Sequence, residues 1–194
     1  MLHGVQTPPV LDTFVTACRD AVDDGTDLPQ TVAALLRELV ADAAQLAAAI
    51  PPFSDDEVKA STRGFRLGGE HVLHRSDDLT IMVLDTLPGV LQPAHDHAMN
   101  AFIGVFEGCE EQRFWARTAT GVESATGRLL EAGEVVALGE RAIHAISAPA
   151  GVPARAVHVY LGDIYDVERS VFEPDTMVEH PMTPDRYDEF CRPA

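Results

Sequence analysis

Cysteine and basic residues are scarce in this chain of 194 residues, and each scarcity excludes a class of protein. The three cysteines, Cys18, Cys109 and Cys191, are too few for a disulfide framework and form no CxxC pair. Lys and Arg number 14 against 31 Asp and Glu, which gives a formal net charge of −17. Because phosphate binding needs clustered cations, this charge argues against nucleic acid and against an anionic membrane surface as partners.

Long apolar runs are also missing. No segment approaches the about 20 apolar residues of a membrane-spanning helix. The opening residues, MLHGVQTPPVLDTF, have neither the basic start nor the apolar core of a secretory signal. We therefore expect a cytoplasmic protein whose thiols are reduced. Apolar residues nonetheless make up 46% of the chain, which is enough for the buried core of a globular protein.

The first 60 residues have the apolar spacing of helices. In LDTFVTACRDAVDDG the apolar residues recur at helical intervals, and Gly25 is placed to end the helix. The Ala- and Leu-rich stretch LPQTVAALLRELVADAAQLAAAI predicts a second helical region, which can break internally and is closed by Pro51 and Pro52. We interpret residues 1–60 as a helical segment that packs on the outside of a sheet.

From residue 61 the pattern changes to short β-type runs with Gly, Pro or Asp between them. The runs are HVLHRSDD, LTIMVLDTLPG, AFIGVFEG, EQRFWARTATG, EVVALGERAIHAIS and ARAVHVYLGD. No Gly-rich phosphate loop and no helix of crossover length separates them, which favours an antiparallel barrel or sandwich over a parallel α/β sheet. We take 61–175 as the barrel and 176–194 as a Pro-rich, irregular tail that wraps it.

Three histidines have the spacing of a metal site. In an extended chain His95 and His97 point to one face, and His144 lies on a later strand that an antiparallel pairing returns to the same interior. Three imidazoles leave up to three positions open on an octahedral metal, whereas a structural zinc site has four ligands. The pattern therefore favours a reactive centre. We interpret four further histidines as structural or solvent-exposed: His3, His71, His74 and His180.

The segment PAHDHAMNAFIGVFEGCEEQRFW resembles the first metal motif of the cupin superfamily. Typical cupins have a glutamate several residues after the two histidines, but residues 98–103 contain no acid and Glu107 lies at a hairpin tip. The resemblance implies a mainly β fold, the double-stranded β-helix or jelly-roll barrel. With three neutral imidazoles the metal keeps its dipositive charge, so we expect the site to accept an anionic donor such as a thiolate.

A second group of polar residues follows in ARAVHVYLGDIYDVERSVFEP. His158 and Tyr160 share one face of a strand, and Arg169 comes after a Gly-Asp turn. Together with the His-Asp-His motif and ALGERAIHAISAP, this segment makes roughly residues 65–175 resemble the cysteine dioxygenase family. Within that family, the bacterial 3-mercaptopropionate-type members are the most similar.

This resemblance implies an Fe(II)-dependent thiol dioxygenase, a non-haem iron oxidoreductase. Such an enzyme converts a small carboxylate-bearing thiol, 3-mercaptopropionate or cysteine, and O2 to the sulfinate. The resemblance assigns the metal to His95, His97 and His144 and the catalytic outer pair to His158 and Tyr160. Iron is the implied metal, with zinc or nickel as substitutes in a purified sample.

The resemblance also implies an arginine that binds the substrate carboxylate. This residue is Arg169 or, as in the cysteine-specific branch, Arg75. Three positions depart from the family pattern. Ala156 stands in place of the serine of a Ser-x-His-x-Tyr array, Phe102 lies near the position of a cysteine that animal members crosslink, and Asn100 lies where many relatives carry a bulky aromatic residue.

Two other functions remain open. One is a different three-histidine cupin chemistry, such as β-dicarbonyl cleavage or a metal-dependent lyase step, which needs no arginine in the pocket. The other is a non-catalytic cupin that binds a metal or a small ligand, because a fold alone does not define an activity. For the leading function we expect a small-molecule thiol and O2 as partners, and a monomer or small homo-oligomer.

Overall fold

The computed structural model describes residues 7–149 and 151–194. It begins with three helices, α1 (Pro9–Asp24), α2 (Leu28–Val40) and α3 (Ala43–Ala49). The strands that follow are β1 (Lys59–Ala60), β2 (Arg66–Gly68), β3 (Glu70–Arg75), β4 (Thr80–Thr86), β5 (Val90–Leu91), β6 (Ala101–Glu107), β7 (Cys109–Thr118), β8 (Gly121–Ser124), β9 (Arg128–Glu131), β10 (Val135–Leu138), β11 (Ile143–Ser147), β12 (Ala154–Tyr160), β13 (Ser170–Phe172), β14 (Glu179–Pro181) and β15 (Arg192–Pro193). A fourth helix, α4 (Pro184–Phe190), lies between the last two strands.

Two antiparallel sheets form a jelly roll. The strand order is β10-β6-β12-β4-β3 in one sheet and β15-β5-β11-β7-β8 in the other, with β9 also paired to β7. The chain therefore alternates between the sheets, from β4 to β5, β6, β7, β10, β11 and β12. This alternation is the arrangement of a double-stranded β-helix. The mainly β fold predicted from the sequence, with the amino-terminal helices outside, is confirmed.

The central strand β12 shows how alternation divides the core. Val157 and Val159 pack with the helices in one apolar cluster. Ala156 and Tyr160 belong to a second cluster inside the barrel. Because successive side chains of a strand point to opposite faces, one strand serves both clusters. The candidate site residues therefore lie on the inner face, and the helices cover the outer face.

The helices pack closely on β6. A Cβ atom on Gly104 would lie 2.9 Å from Cγ of Leu36 and 3.0 Å from Cγ1 of Val40, so the missing side chain lets α2 approach the strand. The predicted break in the second helical region is confirmed. Asp42 accepts the backbone N–H of Gln45 and caps α3, which satisfies a donor that the helix itself leaves free.

Buried Arg155 fastens the end of the helical segment to the barrel. Its guanidinium donates to the carbonyl oxygens of Ile50 and Pro51, at 2.9 Å each. It also pairs with Asp85 at 3.3 Å and with Glu107 at 2.6 Å. A buried charge is tolerated only when it is paired and hydrogen-bonded, and this arginine has both kinds of partner.

The carboxyl-terminal residues are more regular than the sequence indicates. Strand β14 pairs with β13, α4 follows, and β15 pairs with β5 at an edge of the barrel. Thr183 caps α4 by accepting the backbone N–H of Arg186. The division of the chain at residues 60 and 175 stays a prediction. No helix among the described residues combines the length and the apolar character that a membrane crossing requires.

Candidate metal centre

The three predicted metal ligands converge inside the barrel. Nε2 of His97 lies 3.2 Å from Nε2 of His144, and one ring nitrogen of each, His95 included, lies within 4.8 Å of the others. Two nitrogens held about 2.0–2.2 Å from one ion are about 3.0–3.5 Å apart at the angles of common metal sites. The distance between His97 and His144 fits a single ion, and His95 completes a group of three that could hold one. In the part of the chain that the structure describes, no second group of His, Cys, Asp or Glu has such a spacing.

The backbone brings His95 to His144. The N–H of His95 donates to the His144 carbonyl at 2.8 Å, and the N–H of His144 donates back at 2.9 Å. The strand expected at His95 and His97 is reduced to isolated bridges, and Ala98, with a φ of 55°, turns the chain after the second histidine. The rings of His95 and His97 nevertheless lie 5.0 Å apart between centroids.

Hydrogen bonds orient two of the three rings. Nδ1 of His95 lies 3.0 Å from the carbonyl oxygen of Pro93, and Nδ1 of His144 lies 2.7 Å from Oε1 of Gln112. Both partners are acceptors, so Nδ1 carries the hydrogen and Nε2 presents its lone pair. Nδ1 of His97 is buried and has no hydrogen-bond partner within the described ranges.

Burial keeps the triad neutral. It lowers the pKa of His95 to about 4, and the positive charge of Arg169 adds to the shift. Burial also lowers the pKa of His97 and of His144 well below the ordinary value, with repulsion from neighbouring imidazoles adding to it. A neutral imidazole is the form that binds a metal. Three such donors in a buried pocket fit a divalent ion.

The triad lines a cavity of about 720 Å³. This volume lies within the range of pockets that bind small ligands. The predicted outer residues His158, Tyr160 and Arg169 line the same cavity. The apolar part of the lining includes Leu67, Met82, Leu84, Ile146, Ile164, Val167 and Met182. The structure thus brings six of the seven predicted site residues to one place.

The pair of His158 and Tyr160 is in direct contact. Nδ1 of the histidine lies 3.0 Å from the tyrosine hydroxyl oxygen, and the Tyr160 ring lies 5.1 Å from the His97 ring. Burial lowers the pKa of His158 to about 4 and raises the pKa of Tyr160 above its ordinary range, so both groups are neutral. Ala156, on the same face, has no hydroxyl to offer Nε2 of His158, which is buried without a partner in the described structure.

The two candidate arginines lie in different places. Arg169 lines the cavity, and its side chain makes no hydrogen bond or ion pair to any described residue. Arg75 lies at the surface, where its guanidinium binds the Asp163 carboxylate at 2.8–2.9 Å and stacks on Tyr165 at 4.8 Å. Arg75 is not part of the cavity lining. The alternative that placed Arg75 at the substrate is therefore corrected, because its guanidinium is already bound to the carboxylate of Asp163.

Two residues near the centre carry no signal in the sequence. Tyr187 of α4 lies 5.8 Å from the His95 ring between centroids, and its hydroxyl donates to Gln92. Asp96, between the two histidines of the motif, accepts from Arg117 at 2.6 Å. Both contacts join segments that are distant in the chain, and local periodicity does not predict which distant residues come into contact.

The other histidines lie away from the centre. His74 hydrogen-bonds a neighbouring serine, His180 packs its ring against Phe190, and His71 is buried. His3 lies outside the described residues. The three cysteines form no disulfide among the described residues.

No protein-family model matches the chain. Solved structures with a similar fold include the DMSP lyase DddQ from Ruegeria pomeroyi, at 18% identity and a TM-score of 0.48, over 66% of this chain and 64% of that one. A protein with a double-stranded β-helix domain from Klebsiella pneumoniae matches at 17% identity and a TM-score of 0.46, over 64% of this chain and 93% of that one.

The Bacillus subtilis oxalate decarboxylase, which has Mn(II) centres, matches at 13% identity and a TM-score of 0.43, over 54% of this chain. The match spans 28% of the decarboxylase and 64% of the lyase, so it covers less than two thirds of either protein. The strand order defines the fold class of this chain as a double-stranded β-helix. Its particular feature is a three-histidine site suited to a divalent metal.

Proposed function

We propose that the protein is an Fe(II)-dependent dioxygenase that oxidises a small carboxylate-bearing thiol to its sulfinate, with 3-mercaptopropionate favoured over cysteine. The position of Arg169 carries the proposal. This arginine has no ion pair within the described residues, and it lines the same cavity as three neutral imidazoles. A free guanidinium beside a dicationic centre supports a substrate with two anionic groups, a thiolate and a carboxylate.

The proposed reaction is R–SH + O2 → R–SO2⁻ + H⁺. Both oxygen atoms become bonded to sulfur, sulfur loses four electrons and O2 gains four, so no external reductant is needed. When bound, the metal supplies the redox chemistry and a common place for thiolate and O2. The protein contributes the position of the substrate and the exclusion of water.

The residues around the triad have separate parts in this proposal. Arg169 binds the carboxylate through paired hydrogen bonds and so fixes the far end of the substrate. Tyr160 keeps its proton because burial raises its pKa, and its hydroxyl is available as a hydrogen-bond donor toward the centre. His158 holds that hydroxyl at 3.0 Å. The apolar lining keeps water away from the reacting sulfur.

The preference for 3-mercaptopropionate rests on Glu70. This carboxylate lines the cavity, but Lys59 binds it at 2.8 Å and the hydroxyl of Tyr165 also donates to it. Burial would raise the pKa of Glu70, and these hydrogen bonds outweigh burial and lower it. Because the carboxylate is already engaged, it offers little to the ammonium group of cysteine. A thiol without that group avoids an uncompensated charge.

The test is O2 uptake and sulfinate formation by protein loaded anaerobically with Fe(II). Substrates are 3-mercaptopropionate, cysteine and 2-aminoethanethiol. We expect turnover of the carboxylate thiols, and Arg169→Met should raise KM for 3-mercaptopropionate about 10- to 100-fold, because a charge-assisted pair contributes about 1.5–3 kcal/mol. Arg75→Met is the matched control and should leave KM unchanged.

Two outcomes would contradict this proposal. Turnover of 2-aminoethanethiol with neither carboxylate thiol would remove the role of Arg169. Substrate loss without O2 consumption would instead support the lyase-type chemistry.

A further inference from the structure

A buried chain of polar side chains runs behind His144. Its Nδ1 lies 2.7 Å from Oε1 of Gln112, and the amide nitrogen of Gln112 donates to Oε1 of Glu110 at 2.6 Å. The hydroxyl of Thr86 donates to the other oxygen of Glu110 at 2.9 Å. All four side chains belong to residues that are at most 1% exposed. Strands β11, β7 and β4 thus meet at this chain.

Each hydrogen bond determines the next one. An oxygen of Glu110 accepts from Gln112, so the amide nitrogen faces the carboxylate and the amide oxygen faces His144. That oxygen can only accept, so Nδ1 of His144 carries the hydrogen and Nε2 is bare. A reversed amide would place its NH2 group against Nδ1 and put the ring hydrogen on Nε2. In that tautomer the histidine cannot bind a metal through Nε2.

We propose that Glu110 is a positioning residue for the metal centre: acting through Gln112, it holds His144 in the tautomer whose Nε2 binds a divalent cation. The location of the carboxylate supports this role. Glu110 has no cationic side chain as a partner within the described residues, and a buried carboxylate without one costs free energy. It lies two hydrogen bonds from the site that gains a dipositive charge when the metal binds. The inference depends on the metal centre and not on thiol oxidation.

Metal-free protein allows a direct test. Glu110→Leu removes the acceptor that orients the amide, so we expect the long-range ¹H–¹⁵N NMR spectrum to show His144 as a mixture of tautomers. Zn(II) affinity, measured by chelator competition, should fall about 10- to 100-fold, the usual effect of losing a group that orients a metal ligand. Glu110→Gln keeps an oxygen acceptor and should remain within about threefold of the parent.

An exchange variant makes the test sharper. In Glu110→Gln/Gln112→Glu the new carboxylate accepts directly from Nδ1 of His144 and from the new amide, so the tautomer is kept and Zn(II) affinity should equal or exceed that of the parent. Gln112→Glu alone brings two buried carboxylates together and should lose affinity. Glu111→Gln is the control, because that side chain pairs with Arg113 and Ser147 and does not contact the buried chain.

Circular dichroism and thermal unfolding report whether each variant is folded. A folded Glu110→Leu protein with the parental tautomer and Zn(II) affinity would overturn the proposal. If Glu110→Leu does not fold, the test is the Zn(II) affinity of Glu110→Gln/Gln112→Glu compared with that of Gln112→Glu. An exchange variant that binds Zn(II) no better than Gln112→Glu alone would also overturn it. Neither measurement involves a thiol or O2, so failure here is distinct from failure of the proposed dioxygenase activity.

Discussion

The carboxylate of Asp96 accepts the backbone N–H of Ser170 at 2.8 Å, and the backbone N–H of Asp96 donates to the Ser170 carbonyl at 3.1 Å. Asp96 lies between the ligands His95 and His97, and Ser170 directly follows Arg169. One residue therefore joins the loop that carries two metal ligands to the start of β13. The separation between the metal and the guanidinium depends on this junction, and so does the length of substrate that fits between them.

We expect Asp96→Ala to raise KM for 3-mercaptopropionate about tenfold while bound metal changes little, because Arg169 is then less firmly positioned and a misplaced charge pair loses part of its about 1.5–3 kcal/mol. Steady-state kinetics and metal analysis on the same preparation measure both quantities. Glu134→Gln is the control, since the Glu134 carboxylate bonds the exposed Arg128 and the backbone N–H of Glu131, away from the ligand loop. A parallel fall in metal content and activity would show that Asp96 serves the metal loop alone.

Replacing any one histidine of the triad, for example His144→Ala, should leave less than about a tenth of the parental metal per chain, because two imidazoles bind a divalent ion far more weakly than three. Elemental analysis after reconstitution with Fe(II) or Zn(II) measures the loss. His74→Ala should keep the full metal content, since His74 lies outside the centre. Unchanged metal in the His144→Ala protein would disprove the assignment of the ligands.

The stability of the metal-free protein, measured relative to its Glu110→Gln variant, should fall as pH rises from 4.5 to 7. Burial raises the pKa of Glu110 from 4.5 to about 7, so over this range the folded state binds more protons than the unfolded chain. The cost of ionising the buried carboxyl is absent below pH 4.5, grows between pH 4.5 and 7, and reaches about 3 kcal/mol above pH 7. Urea unfolding of Glu110→Gln should lack this loss. Comparison with the parent cancels the buried histidines, which titrate in both, and parallel pH profiles would contradict the prediction.

Arg155→Met should lower the free energy of unfolding by about 3–5 kcal/mol, because it leaves Asp85 buried without its cation and breaks the link to the carbonyls of Ile50 and Pro51. Urea denaturation followed by circular dichroism measures the change. Arg128→Met is the matched control: its partner, Glu134, is exposed, so the loss should stay within about 1 kcal/mol. Equal effects of the two substitutions would mean that the buried network adds nothing.

The sequence predicts the strands and the inward-facing pairs because these follow from local periodicity. Alternation in β12 places His158 and Tyr160 on one face, and the structure finds them in contact. Periodicity does not reveal which distant residue meets a given side chain. Arg75, like Arg169, has acidic residues close by in the sequence, yet its partner, Asp163, lies 88 positions away along the chain. The contact of Tyr187 with the His95 ring likewise depends on the path of the carboxyl terminus, which has no repeating pattern.

The division of β12 between two clusters also affects which substitutions the protein can accept as its sequence changes during evolution. The side chains of Ala156, His158 and Tyr160 meet the cavity side of the sheet, whereas Val157 and Val159 meet the helices. Substitutions at the first three positions can alter the shape and polarity of the pocket without disturbing the helical cover. Ala156 is an instance of such a position, a methyl group on the inner face of an intact strand. New substrate preferences can therefore arise along this strand while the scaffold is inherited unchanged.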